Sequence, residues 1–126
     1  PPGNAFVCIS TYIHDPVWNE MDICLKGAEN EGETGSFHAA TWINGTEDFA
    51  DVPLDFSPAK ELAEFKMHWY ADRIDWFVNG KMLHQVTKQD AIPWEPMTVR
   101  IIQRPISLPY EGESHLAIEE ISYTPN

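Results

Sequence analysis

Positive charge is scarce in this chain of 126 residues: eight Lys and Arg stand against twenty Asp and Glu, a formal net charge of −12 at pH 7. With no basic stripe to neutralise phosphates, nucleic-acid binding is excluded as a function, and an anionic membrane or anionic polysaccharide is disfavoured by the same repulsion. A neutral sugar polymer or a basic protein remains compatible. No apolar run approaches the ~18 residues that a transmembrane helix needs, and no signal-peptide pattern is present in a chain that starts at Pro1. Internal repeats and low-complexity tracts are missing as well. There are two cysteines, Cys8 and Cys24, and neither has the spacing of a zinc knuckle, so no metal or other cofactor is expected. Sustained 3.6-residue periodicity is absent throughout, which removes amphipathic helices from consideration and points to an all-β class.

What the chain does have is strands and turns. With 43% hydrophobic residues it can bury a core, and its length suits one domain over 1–126. Strand character runs over Phe6 to Ile13, Trp18 to Lys26, Phe37 to Ile43, Lys81 to Val86, Met97 to Arg104 and His115 to Thr124, with two more strands on either side of a turn at Tyr70 to Arg73. Asn79-Gly80 is a type I′ hairpin signal. His14-Asp15-Pro16 reads as a turn and Gly27 to Gly35 as a polar loop. Thr46 to Glu61, with Pro53 and Pro58, reads as an irregular connection with one helical turn after Ser57, and Pro105 to Gly112 as a Pro-rich link. Asn44-Gly45-Thr46 is an N-glycosylation acceptor triplet, meaningful only if the protein is exported.

The chemistry concentrates in Trp18-Asn19-Glu20-Met21-Asp22-Ile23-Cys24-Leu25-Lys26-Gly27. Period two sends Glu20, Asp22 and Cys24 to one face and Met21, Ile23 and Leu25 to the other. A hairpin centred near Pro16 sets Cys8 opposite Cys24, Ser10 opposite Asp22 and Tyr12 opposite Glu20. A loop centred near Glu31 sets His38, Ala40 and Trp42 opposite Cys24, Asp22 and Glu20. One face then gathers Ser10, Tyr12, Glu20, Asp22, Cys24, His38, Ala40 and Trp42, although a slip of one residue would send each set to the other face. Such a face also has a bland reading, a half-exposed strand with polar residues outward. Trp42 and Trp76 fit core or rim positions, and His14, His38, His68, His84 and His115 fit a surface. Cys8 and Cys24 admit a cross-strand disulfide, free thiols, or half of a metal site with His38; the first two are favoured because a fourth ligand is lacking. A Cys24–His38 nucleophile and base is disfavoured, since nothing supplies an oxyanion hole.

Glu20-x-Asp22-x-Cys24 resembles the E-x-D-x-E signature of glycoside hydrolase family 16, the laminarinases and lichenases. Phe65-Lys66-Met67-His68-Trp69 through Ile74-Asp75-Trp76-Phe77-Val78-Asn79-Gly80 resembles the later strand pair of the same family. The resemblance implies a concanavalin-like β-jelly-roll sandwich of two antiparallel sheets, here lacking N-terminal strands because only Pro1 to Val17 precede the motif. It implies Glu20 as nucleophile, Asp22 as assisting carboxylate and Cys24 at the acid/base position, with Tyr12, His38 and Trp42 as substrate-binding residues. Retaining hydrolysis requires a carboxylic acid beside the nucleophile to protonate the leaving oxygen. Cys24 is no such acid, Ala40 stands where lichenase-like members have Asn, and Ile101 to Pro105 stands where active members commonly have N-L-W. The expectation is therefore an impaired enzyme acting as a glycan-binding or structural module for a neutral β-glucan. The alternatives are a retaining endo-β-1,3(4)-glucanase and a non-enzymatic subunit without a carbohydrate role. Another polypeptide is expected to complete the sheets, and a secreted or organellar location is favoured over a cytosolic one.

Overall fold

The computed structural model of the chain describes residues 5–26, 34–58, 60–105 and 116–124. Along these residues run β1 (Ala5–Ile13), β2 (Asn19–Lys26), β3 (Ser36–Ile43), β4 (Thr46–Pro53), β5 (Phe65–Trp69), β6 (Ile74–Val78), β7 (Lys81–Val86), a 3₁₀ turn at Gln89–Ala91, and β8 (Thr98–Pro105). The strands form a five-stranded sheet in the order β4-β3-β2-β1-β8 and a three-stranded sheet in the order β5-β6-β7. Every pairing is antiparallel, which makes the architecture the expected all-β sandwich.

Side-chain alternation explains why the sheets stack. Met21, Ile23 and Leu25 leave one face of β2 and meet Phe37 and Ala39 of β3 and Ile74, Trp76 and Val78 of β6 in a single cluster. Phe37, Ile74 and Trp76 are 0% exposed, so the centre of this cluster excludes water. The Trp76 Nε1 donates to the Asp22 carbonyl oxygen at 3.2 Å, tying the small sheet to the strand that carries the carboxylates. Burying an indole without a partner for its N–H would be costly, and this bond removes that cost.

Two hairpins turn on the same chemistry. Asn79-Gly80 has φ of 48° and 78°, and Asn44-Gly45 has 49° and 84°, the paired positive values that a type I′ turn requires. The second turn corrects the sequence reading of Thr46 to Glu61 as irregular throughout: its first half is β4, paired along the whole of β3. Pro53 closes β4 at a sheet edge, where the missing N–H costs no ladder bond. The helical turn after Ser57 is present, with the Ser57 carbonyl accepting from Lys60 N at 2.9 Å and Glu61 N at 3.1 Å.

The expected closing strand His115 to Thr124 is a second correction. Residues 116–124 form no strand, and Leu116, Ile118, Ile121 and Tyr123 are 38–83% exposed. Strand propensity makes a strand only where a partner ladder accepts it, and none of the described strands does so here. His115 and residues 106–112 of the Pro-rich link lie outside the described residues. His84 also departs from its surface reading: it is half-buried against Trp76 at 5.4 Å between ring centroids, and burial pulls its pKa below the usual value.

Candidate active site

The predicted registers hold residue for residue. β1 sets Cys8 on Cys24, Ser10 on Asp22 and Tyr12 on Glu20. β3 sets His38 on Cys24, Ala40 on Asp22 and Trp42 on Glu20. The edge strands extend each row: Glu47, Phe49 and Asp51 lie beyond Trp42, Ala40 and His38, while Thr98, Arg100 and Ile102 lie beyond Tyr12, Ser10 and Cys8. The site is thus the outer face of the five-stranded sheet, opposite the core.

In the middle row Asp22 is 7% exposed. Burial in this setting disfavours its charged form, and the neighbouring Glu20 carboxylate adds to the effect by charge and by a shared hydrogen bond. The Ser10 hydroxyl, which donates to Asp22 Oδ1, and the more distant His38 oppose it, and the net result is a pKa pushed up to about 7. Asp22 therefore keeps its proton to a higher pH than an ordinary carboxyl, as burial and an adjacent carboxylate both favour the neutral form. Glu20 is oriented from its other side by the Trp18 indole, whose Nε1 donates to Oε2 at 2.8 Å.

The row of Glu20 is aromatic on both sides. Trp18 and Trp42 stack at 5.4 Å with an interplanar angle of 4°, and Tyr12 meets Trp18 edge-on at 6.4 Å. The Arg100 guanidinium sits 4.2 Å over the Tyr12 ring. Parity offered a signal for Trp18, which shares its face with positions 20, 22 and 24, but the sequence reading did not use it.

The third row holds the principal departure. Cys8 and Cys24 are joined as a disulfide with Cα atoms 4.1 Å apart, which decides among the readings that two cysteines allowed. A disulfide sulfur carries no proton, so position 24 offers neither a thiol acid nor a thiolate. His38 is engaged instead by the carboxylates of β4. Its Nδ1 pairs with Asp51 Oδ1 at 2.7 Å and its Nε2 with Glu47 Oε1 at 3.2 Å, while its ring stacks on Phe49 at 5.3 Å. Burial alone would pull its pKa down, but these bonds and the two carboxylate charges outweigh it and hold the pKa above the usual histidine value. Glu47, Phe49 and Asp51 escaped the sequence reading because β4 did; the Asn44-Gly45 pair was the signal that would have found them. Among the described residues no cluster of His, Cys, Asp and Glu is arranged to hold a metal ion.

Comparison with known proteins places these features. The family model described as glycosyl hydrolases family 16 matches residues 3–107. A solved structure of a native glycosidic hydrolase superposes with a TM-score of 0.68 at 21% identity, covering 82% of this chain and 47% of that one. A Bacillus licheniformis β-glucanase superposes with a TM-score of 0.59 at 23% identity, covering 81% and 45%. A prokaryotic β-1,3-1,4-glucanase (lichenase) from a mouse hindgut metagenome gives 0.67 at 19%, covering 82% and 48%. The chain spans about half the length of these solved proteins, and at such identities the likeness is one of fold. No curated protein sequence matches it.

Proposed function

The chain belongs to glycosyl hydrolases family 16, and from that premise we propose that it is a carbohydrate-binding member whose sheet face holds a neutral β-glucan without cleaving it. The observation that carries this reading is the disulfide at Cys24, in the row beside Asp22 where a leaving-group acid would stand. Glu20 keeps the position of a nucleophile and Asp22 that of its assisting acid, so the face retains acceptors and a donor for sugar hydroxyls. Departure of a glycosidic oxygen still needs a proton from an acid placed beside it. Asp22 does not fill that role, because it is buried and its Oδ1 accepts from Ser10. The half-buried Trp42, stacked on Trp18 beside Glu20, offers aromatic surface for a pyranose ring, with Tyr12 and His38 bounding the rows on either side.

Isothermal titration of the purified chain with laminarihexaose and with lichenan oligosaccharides tests this reading, run beside an assay for new reducing ends. Saturable binding that weakens in Glu20→Ala and Trp42→Ala, without release of reducing ends, is the expected result. Turnover at the rate of an ordinary β-glucanase, abolished by Glu20→Ala, would refute it.

The edge of the five-stranded sheet supports a second element of the proposal, a partner polypeptide that completes the sandwich. Val99 of β8 lies on the core side of the sheet yet is 51% exposed, and Ile102 on the other side is 39% exposed. Among the described residues no strand pairs with the outer edge of β8, and addition of a strand at such a sheet edge is a common way for a second chain to bind. A mass by light scattering above the 14.4 kDa of one chain, or a co-purifying polypeptide, is expected. A monodisperse monomer that unfolds cooperatively would remove the partner from the proposal.

A further inference from the structure

Away from the carboxylate face, at the end of the sandwich where β2 begins, a cavity of about 440 Å³ is lined by Trp69, Tyr70, Ala71, Gln89, Ile92, Pro93 and Trp94. Three of the seven lining side chains are aromatic and none is charged. Its volume lies in the range of small-ligand sites.

The strongest feature of this cavity is Trp94. Its side chain is 55% exposed, whereas its backbone is pinned. The buried Asn19 carboxamide oxygen accepts from Trp94 N at 2.8 Å and from Glu95 N at 3.4 Å, and Asn19 is itself 0% exposed. One residue earlier, the Pro93 carbonyl accepts from Trp69 Nε1 at 2.9 Å. An indole displayed to solvent on a backbone fixed at both sides is preorganised, so a ligand that stacks on it need not order the loop first. Gln89 is held by its Nε2 bond to the Asp72 carbonyl at 3.2 Å, and the outer face of Tyr70 is covered by the Arg73 guanidinium at 3.9 Å.

From this arrangement we infer that the cavity is a second carbohydrate site, taking one neutral hexopyranose unit of an oligosaccharide on the Trp94 indole. A pyranose presents a face of polarised C–H bonds to an aromatic ring and hydroxyls around its rim, and the lining supplies the Trp94 ring with the Gln89 amide and the Tyr70 phenol beside it, the latter within 3.5 Å of His68 Nδ1, while Ile92 and Pro93 are themselves buried. The net charge of −12 disfavours an anionic sugar. The inference does not rest on the reading of the Glu20 face, since no residue is common to the two sites.

The test uses the full chain labelled with ¹⁵N and titrated with laminarihexaose and with cellohexaose up to about 10 mM, a range that captures the weak affinity of a single stacked ring. The Trp94 indole N–H resonance is expected to shift along a saturating curve, to do so equally in Glu20→Ala, and to remain absent from the response of Trp94→Ala, whose overall binding at this site falls at least tenfold. Trp94→Ala leaves the bonds of Asn19 intact because they go to backbone nitrogens, and Trp94→Phe is expected to keep part of the affinity. An indole resonance that does not move, or one whose movement is lost in Glu20→Ala, would overturn the inference, as would unchanged affinity in Trp94→Ala.

Discussion

Asp22 offers a stability measurement whose sign and size both come from its surroundings. In the unfolded chain its carboxyl ionises at the ordinary 3.8, whereas in the fold burial and Glu20 push it up to about 7. The folded protein therefore binds a proton that the unfolded chain has lost throughout that window, and stability must fall as pH rises through it. Below pH 3.8 the contribution is fully present; above about pH 7 it is gone. At ~1.4 kcal/mol for each pH unit the loss sums to about 4 kcal/mol, a large share of the ~5–15 kcal/mol that typically holds a domain together. Asp22→Asn keeps an acceptor for Ser10 but cannot ionise. Urea unfolding at pH 4 and pH 8 should find the two proteins within about 1 kcal/mol of each other at the lower pH. At pH 8 the variant should be more stable by ~2–4 kcal/mol. His38, whose pKa is raised by Asp51 and Glu47, also lowers stability as pH rises, from its unfolded value upward; it does so in both proteins, and only its smaller charge coupling to Asp22 differs between them. His84, with a lowered pKa, works in the opposite direction and cancels from the difference. Equal pH dependence in the two proteins, or a wild type that is the more stable at pH 8, would refute the argument.

The disulfide closes a short loop, with a sequence separation of 16, so the Cys8→Ala/Cys24→Ala double variant should lose about 3 kcal/mol in chemical denaturation; a thiol titration of the denatured, unreduced wild type should find no free thiol. Cys8→Ala/Cys24→Glu supplies the missing carboxylic acid and should raise reducing-end release from lichenan or laminarin by roughly 10²- to 10⁴-fold. No gain in a folded variant would show that the face is unfit for cleavage beyond its acid. Trp76→Ala opens a cavity at the centre of the core and removes the donor to the Asp22 carbonyl, with an expected loss of ~3–5 kcal/mol. A cost below about 1 kcal/mol would mean that the small sheet contributes little to the fold.

The strand order of chemistry was written in the sequence itself. Alternation put Glu20, Asp22 and Cys24 on one face, and turn centres near Pro16 and Glu31 were enough to place Cys8, Ser10, Tyr12, His38, Ala40 and Trp42 across from them. Both inferences work because strand geometry has a fixed period and hairpin register follows from turn position. The departure at position 24 was equally visible, being a matter of residue identity. Three things depended on tertiary structure. The Cys8–Cys24 bond needed the two strands to meet, since cysteine count and spacing alone allowed free thiols as well. The proton on Asp22 needed the desolvation and the Glu20 neighbour that only the assembled face provides. Residues 116–124 read as a strand by propensity and form none, because a strand exists by its partner's hydrogen bonds and not by its own composition. The binding surface at Trp94 belongs to the same class: a loop with two prolines and a tryptophan says little alone, and acquires meaning when a buried asparagine 75 residues earlier holds it open to solvent.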